Sequence, residues 1–160
     1  MKTERISDVL QGMDINTEDA IVTLSDRIWE IGNIDEIKQQ VSDVTFTFHV
    51  VANVIGNCKC DGWMSIVENH ADLLPYISCA MYEIGLDKIG EATQNISNIF
   101  PLDISALSSK EFCKVVNFMK GLQTDLEVLK KYSESEQEKI SEQYFDTIHK
   151  LDDIAAELWY

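Results

Sequence analysis

The chain has 160 residues, 45% of them apolar, and 28 acidic against 13 basic side chains, a formal charge of −15. Its length and apolar share suit a single domain, 1–160, with a sizeable core. The negative excess argues against direct binding of nucleic acid or an anionic membrane, and favours a basic protein surface or a metal ion as partner.

No apolar run approaches the roughly 18 residues of a membrane span, and the opening MKTERISDVL lacks the apolar core of a signal peptide. A cytoplasmic location is therefore expected. Cys58, Cys60, Cys79 and Cys113 would then be reduced thiols, and the sequon at Asn95 would carry no sugar.

Taken in order, most segments show helical period. Ile6, Val9, Leu10 and Met13 share a face of a first helix. Asn16 is placed to cap a second, with Ala20, Ile21, Leu24, Ile28 and Ile31 at the same spacing. Asn33 and Glu36 form a capping box that opens a long third helix. Its stripe runs Ile34, Ile37, Val41, Val44, Phe48, Val51 and Ile55, with a second apolar face at Phe46, Val50 and Val54. Such heptads would support a homodimer, whereas the second face favours burial inside the domain. The segment TFTFHV also alternates like a strand, but the heptad pattern is longer and predicts helix.

The stretch NCKCDGWMSIVENH, 57–70, gathers two cysteines, acids and a histidine. A structural zinc site needs four ligands, usually as two paired claws. Cys58 and Cys60 are spaced as Cys-x-Cys, no second claw follows, and Cys79 falls in the apolar stripe Tyr76, Ile77, Ala80, Met81, Ile84. The expected reading is a junction: an Asp-Gly turn breaks the long helix, and Trp63 starts a short one with its indole in the core. No metal is expected elsewhere either. Asp146 and His149 are a lone pair, and DINTED has Asp19 where a calcium loop needs glycine. His49 reads as a satisfied core or edge histidine.

Asp72 is placed to cap the next helix, with Pro75 in its first turn and Gly85 at its end. Another helix runs from about Lys88 to Ile99 and is closed by Pro101. Ser108/Glu111 and Ser133/Glu136 open two more. Their stripes are Phe112, Val115, Val116, Met119, Leu122, Leu126, Leu129, and Ile140, Tyr144, Ile148, Leu151, Ile154, Leu158. The sequence thus predicts an all-α, single compact domain of seven or eight helices.

There is no phosphate-binding glycine loop, no Gly-x-Ser-x-Gly elbow and no His-Glu-x-x-His, so no enzyme chemistry and no cofactor is predicted. The last helix instead carries Glu134, Glu138, Glu142 and Asp146 at four-residue spacing, continued by Asp153 and Glu157. Such a row lies along one side of a helix and repels itself by a few tenths of a kcal/mol per pair. Asp8, Asp14, Glu18, Asp19, Asp26, Asp35 and Glu36 add charge to the first third. One reading is a solvated, solubilising surface. The other is a rigid negative surface that fits a basic groove, its carboxylates standing where DNA phosphates would.

The segment from Asp61 to Pro101, DGWMSIVENHADLLPYISCAMYEIGLDKIGEA…NIFP, resembles the DNA-mimic-protein C-terminal family, a bacterial domain family. Asp61, Gly62 and Trp63 take the last three places of that family's Asn-Gly-Gly-Phe turn, and Asn69 the end of its short helix. Ile84 and Gly85 match an Ile-Gly step, Phe100 and Pro101 a Phe-Pro stop, and EQYFDTIHKLDDIAAELW looks like the closing segment. Departures are Cys60 and Asp61 for Asn-Gly, Trp63 for Phe, and Leu86 for Ala. The resemblance implies a helical acidic protein, one relative of which mimics DNA toward a DNA-binding protein; an immunity protein that neutralises a toxin is the alternative. An enzyme using Cys58, Cys60 and His70 is the reading from a different class.

Overall fold

The computed structural model describes residues 10–159, and among them the fold is all-α. Of the expected first helix, Ile6 and Val9 lie outside the described residues. Leu10 to Met13 form a turn, in which the Met13 N–H donates to the Leu10 carbonyl at 2.9 Å.

Seven α-helices follow: α1 Glu18–Trp29, α2 Ile34–Gln40, α3 Asp43–Asn69, α4 Leu74–Glu83, α5 Asp87–Asn98, α6 Ser109–Met119 and α7 Glu134–Trp159. Short 3-10 turns stand at Ala71–Leu73 and Glu127–Leu129. Thr17, not Asn16, caps α1, its hydroxyl accepting from the Ala20 N–H. Asn16 instead bonds Asp14, whose carboxylate accepts from its backbone and side-chain N–H groups at 3.0 and 3.1 Å.

The long third helix is in fact two. The Asn33/Glu36 box forms as expected and opens α2, but the chain turns extended at Val41 and Ser42 caps α3 through the Thr45 N–H. A serine hydroxyl that satisfies an orphan N–H outcompetes continuation of the helix there. This break resets the register. Val44, placed in the first stripe, is 79% exposed, while Val50 and Val54 of the second face are fully buried. TFTFHV is helical throughout.

α3 is the central strut, packed on α1, α2, α4 and α7; α4 lies along α5, and α7 closes the domain against α3, α5 and α6. One core cluster runs through Trp63, Ile77, Met81, Ile89, Phe112 and Tyr144, and a smaller one joins Leu24, Ile28 and Ile37. Several expected helix ends recur. Pro75 sits in the first turn of α4, Gly85 ends it at φ +79°, and α5 stops just before Pro101. Asp72 makes no capping bond to α4, whose start continues directly from the 3-10 turn. The α6 stripe stops at Met119; Gly121 at φ +82° turns the chain, Leu122 is half exposed, and Leu129 reaches the core from the second 3-10 turn.

Candidate protein-binding surface

α7 is 26 residues long, and its inner face buries Tyr144, Ile148, Leu151 and Ala155. Its first turn is fixed by a reciprocal box: the Ser133 N–H donates to Glu136 at 2.7 Å, and the Glu136 N–H to the Ser133 hydroxyl at 3.2 Å. Outside the buried face, Glu134, Glu138, Glu142 and Asp146 are all exposed, as is Asp153. The side chain of Glu157 lies outside what the structure describes. Four residues overshoot a helical turn by about 40°, so the row winds slowly across the outer face rather than running straight along it. The ion pairs among the described residues, Arg27–Glu30, Lys114–Asp125 and Lys130–Glu127, involve no member of the row. Among the described residues, neither Lys139 nor Lys150, although on the same helix, forms an ion pair with it.

Asp152, one residue from Asp153, behaves differently, and sequence spacing gave no sign of it. Its carboxylate accepts from the Trp63 backbone N–H at 2.5 Å. That bond explains the junction at 57–70. Gly62 sits at φ +72°, ψ −174°, outside helical geometry, so α3 is two helical segments, 43–61 and 63–69, meeting at a kink, the break that the Asp-Gly turn predicted. Trp63 begins the next turns fully buried, as the junction reading expected, and Asp152 caps them from α7. A Cβ on Gly62 would lie 3.0 Å from that carboxylate. Of the motif residues, Asp61 is exposed, and Asn69 ends α3 with its amide donating to Ser65 at 3.3 Å. Gly85 and Pro101 shape helix ends. Apart from the exposed Asp61, these residues sit at the kink, in the core or at helix ends.

The cysteines do not converge. Cys58 packs against the core, and burial, with Asp152 nearby, pushes its thiol up to about 12. Burial also raises Cys113. Cys60 is exposed, and so is Cys79, which leaves the stripe assigned to it; its Sγ lies 4.0 Å from Glu83. Among the described residues no three His, Cys, Asp or Glu side chains are grouped to hold a metal ion. Nor is any helix long and apolar enough to cross a membrane.

His49 is fully buried, but its needs are not met as expected: Nδ1 lies 3.4 Å from the Asn53 amide, and Nε2 has no partner. The Trp29 ring packs edge-on against it at 4.5 Å and stacks on His70 at 5.8 Å. Burial, with His70 adding to it, lowers the His49 pKa to about 4, so the ring is neutral. Nearby, burial works to raise Asp35, but hydrogen bonds from Ser109 and the Tyr76 hydroxyl outweigh it and hold the carboxyl low. Asp72 is raised, mainly by burial.

A half-open cleft of about 670 Å³ lies between α4, Lys38 of α2, the start of α3, the end of α5 and the loop 102–107. Phe46 and Tyr76, edge to face at 5.1 Å, form one wall. Sequence periodicity assigned both rings to helix faces and gave no sign that they line a cleft. No protein-family model, curated protein or solved structure matches the chain.

Proposed function

We propose that this is a non-enzymatic, cytoplasmic protein-binding module that captures a basic protein surface through the outer face of α7, in the manner of a DNA mimic occupying the groove of a DNA-binding protein. What carries the reading is the row Glu134, Glu138, Glu142 and Asp146: exposed, free of ion pairs among the described residues, and mounted on a helix that buries another face. Fixed charges attract at long range and lose little entropy on association, which suits competition for a site that otherwise holds phosphates. The exposed Asp153 extends the same side toward the C-terminus, where sequence spacing would add Glu157. The non-enzymatic part draws on the thiols: burial holds Cys58 and Cys113 in the protonated, unreactive form.

The test is affinity capture from native lysate with mass spectrometry, repeated with duplex DNA as competitor and across salt concentrations. The expected result is a basic partner that DNA displaces and that salt releases, since exposed charges are screened beyond about 10 Å at 0.1 M salt. Changing the four carboxylates to lysine should leave the helical circular dichroism intact and weaken capture by at least about tenfold. Capture indifferent to these changes would remove the row from the interface. A captured partner that DNA does not displace would mark the toxin-neutralising reading instead.

A further inference from the structure

The Phe46 and Tyr76 rings already hold a cation. The Lys38 ammonium lies 4.5 Å from the Tyr76 centroid and 5.9 Å from that of Phe46. The Tyr76 hydroxyl donates to Asp35 at 3.4 Å, which sets the ring's orientation, and Asp35 is itself tied to the start of α6 through the Ser109 N–H at 3.0 Å. The seat is thus built from three helices rather than left to a mobile side chain. Around it, the cleft is lined by Asp43, Glu83 and Asp103, the last two already accepting from Thr47 and Ser105, against the single charge of Lys38, with the apolar Leu102 and Ile104 also in its lining.

We propose that the cleft is a second binding site, for a lysine side chain on an extended basic peptide segment of a partner protein, and that Lys38 is its internal stand-in. An ammonium over an aromatic face is attracted by the ring quadrupole, most strongly when partly desolvated. The aliphatic stem of the lysine would lie on the apolar part of this lining, as long cationic side chains do elsewhere. A cleft of 670 Å³ is larger than one alkylammonium needs, and its rim carboxylates call for more than one positive charge. Both features favour a peptide over a free amine. The inference deepens the reading of a basic protein partner but uses a different face from α7, so the two fail separately.

The test is an NMR titration of the labelled full chain with a blocked Leu-Lys-Leu-Lys peptide, with the same peptide carrying norleucine for lysine, and with spermidine. The lysine peptide should shift amides in 43–47, 76–83 and 102–107, and the norleucine peptide should bind roughly tenfold more weakly. Tyr76→Leu, which keeps the apolar bulk, should weaken the lysine peptide by about fivefold. Lys38→Met vacates the rings and should tighten binding several-fold, by roughly the worth of one cation–π contact. Lys120→Met removes the same charge elsewhere and should change binding by less than about twofold. Charge reversal of the α7 row should leave the cleft shifts in place. Shifts confined to α7, equal binding of the norleucine peptide, Lys38→Met no different from Lys120→Met, or spermidine binding without the peptide would each overturn the proposal.

Discussion

Acid should weaken this fold through one ring. His49 is fully buried with Nε2 unpaired, so protonating it in place would put a charge where nothing accepts its proton. The native ring stays neutral down to about pH 4, whereas in the unfolded chain it takes up a proton near 6.5. Between those values the unfolded state binds more protons, so stability falls as the pH falls. The contribution is complete above pH 6.5 and lost progressively toward pH 4. At about 1.4 kcal/mol per pH unit it reaches roughly 3 kcal/mol at most, and about 2 if water reaches the ring on partial opening.

The measurement is urea unfolding followed by circular dichroism at pH 7.5, 6.0, 5.0 and 4.2, on the natural chain and on His49→Gln. The other titrating groups subtract out in the difference. That matters because Asp72, raised by burial, works in the opposite direction and gains stability on acidification. His49→Gln should cost about 1 kcal/mol at pH 7.5, where it loses the packing on Trp29. The gap should close, then reverse, as the pH approaches 4. Parallel curves across the whole range would mean that His49 titrates normally and that its burial does not control its charge.

Two glycines separate conformational strain from contact. Gly85→Ala meets open space and should cost about 1 kcal/mol for its positive φ alone, while Gly62→Ala, strained and pressed on Asp152, should cost distinctly more by thermal unfolding. Equal costs would mean the kink does not need its close approach. Asp152→Ala, which removes the acceptor for the Trp63 N–H, should destabilise by about 2 kcal/mol in urea. Asp153→Ala, one residue on and exposed, should change stability by less than about 0.5 kcal/mol. In timed alkylation at pH 8 read by peptide mass spectrometry, the exposed Cys60 and Cys79 should label first and Cys113 and Cys58 last, because burial keeps the last two protonated. Early labelling of Cys58 would reopen a thiol chemistry for the chain.

What the sequence discloses here is local and short in range. Capping boxes at Asn33, Ser108 and Ser133, the left-handed glycine at 85 and the stop at Pro101 all depend on neighbours within four residues, and each appears where the pattern put it. Failures came where a competing local signal or a distant partner decided. Ser42 cut a heptad run that looked continuous, so Val44 of the first stripe is exposed and burial passes to Val50 and Val54 of the second face. Periodicity cannot register a one-residue reset made by a side-chain cap. Asp152 looked like one more acid in an acidic helix; only the fold brings it beside a backbone N–H 89 positions earlier in the chain. The cleft is of the same kind, since its walls come from five separate segments.

α7 therefore uses its acids in two opposed ways, and the difference decides which can bind a partner. Asp152 is turned toward α3 and already satisfied, so removing it from its N–H would cost more than a new partner returns. The outer row is solvated and in mutual repulsion, a few tenths of a kcal/mol per adjacent pair and about 1 kcal/mol over its three steps. Burial of Tyr144, Ile148 and Leu151 on the other face, at about 2 kcal/mol per side chain, outweighs that repulsion and keeps the helix formed. Had the row been paired with Lys139 and Lys150, an arriving cation would first have to break those pairs. Left unpaired on a helix that cannot yield, the same carboxylates shed their repulsion when a positive surface arrives, and that relief adds to the attraction.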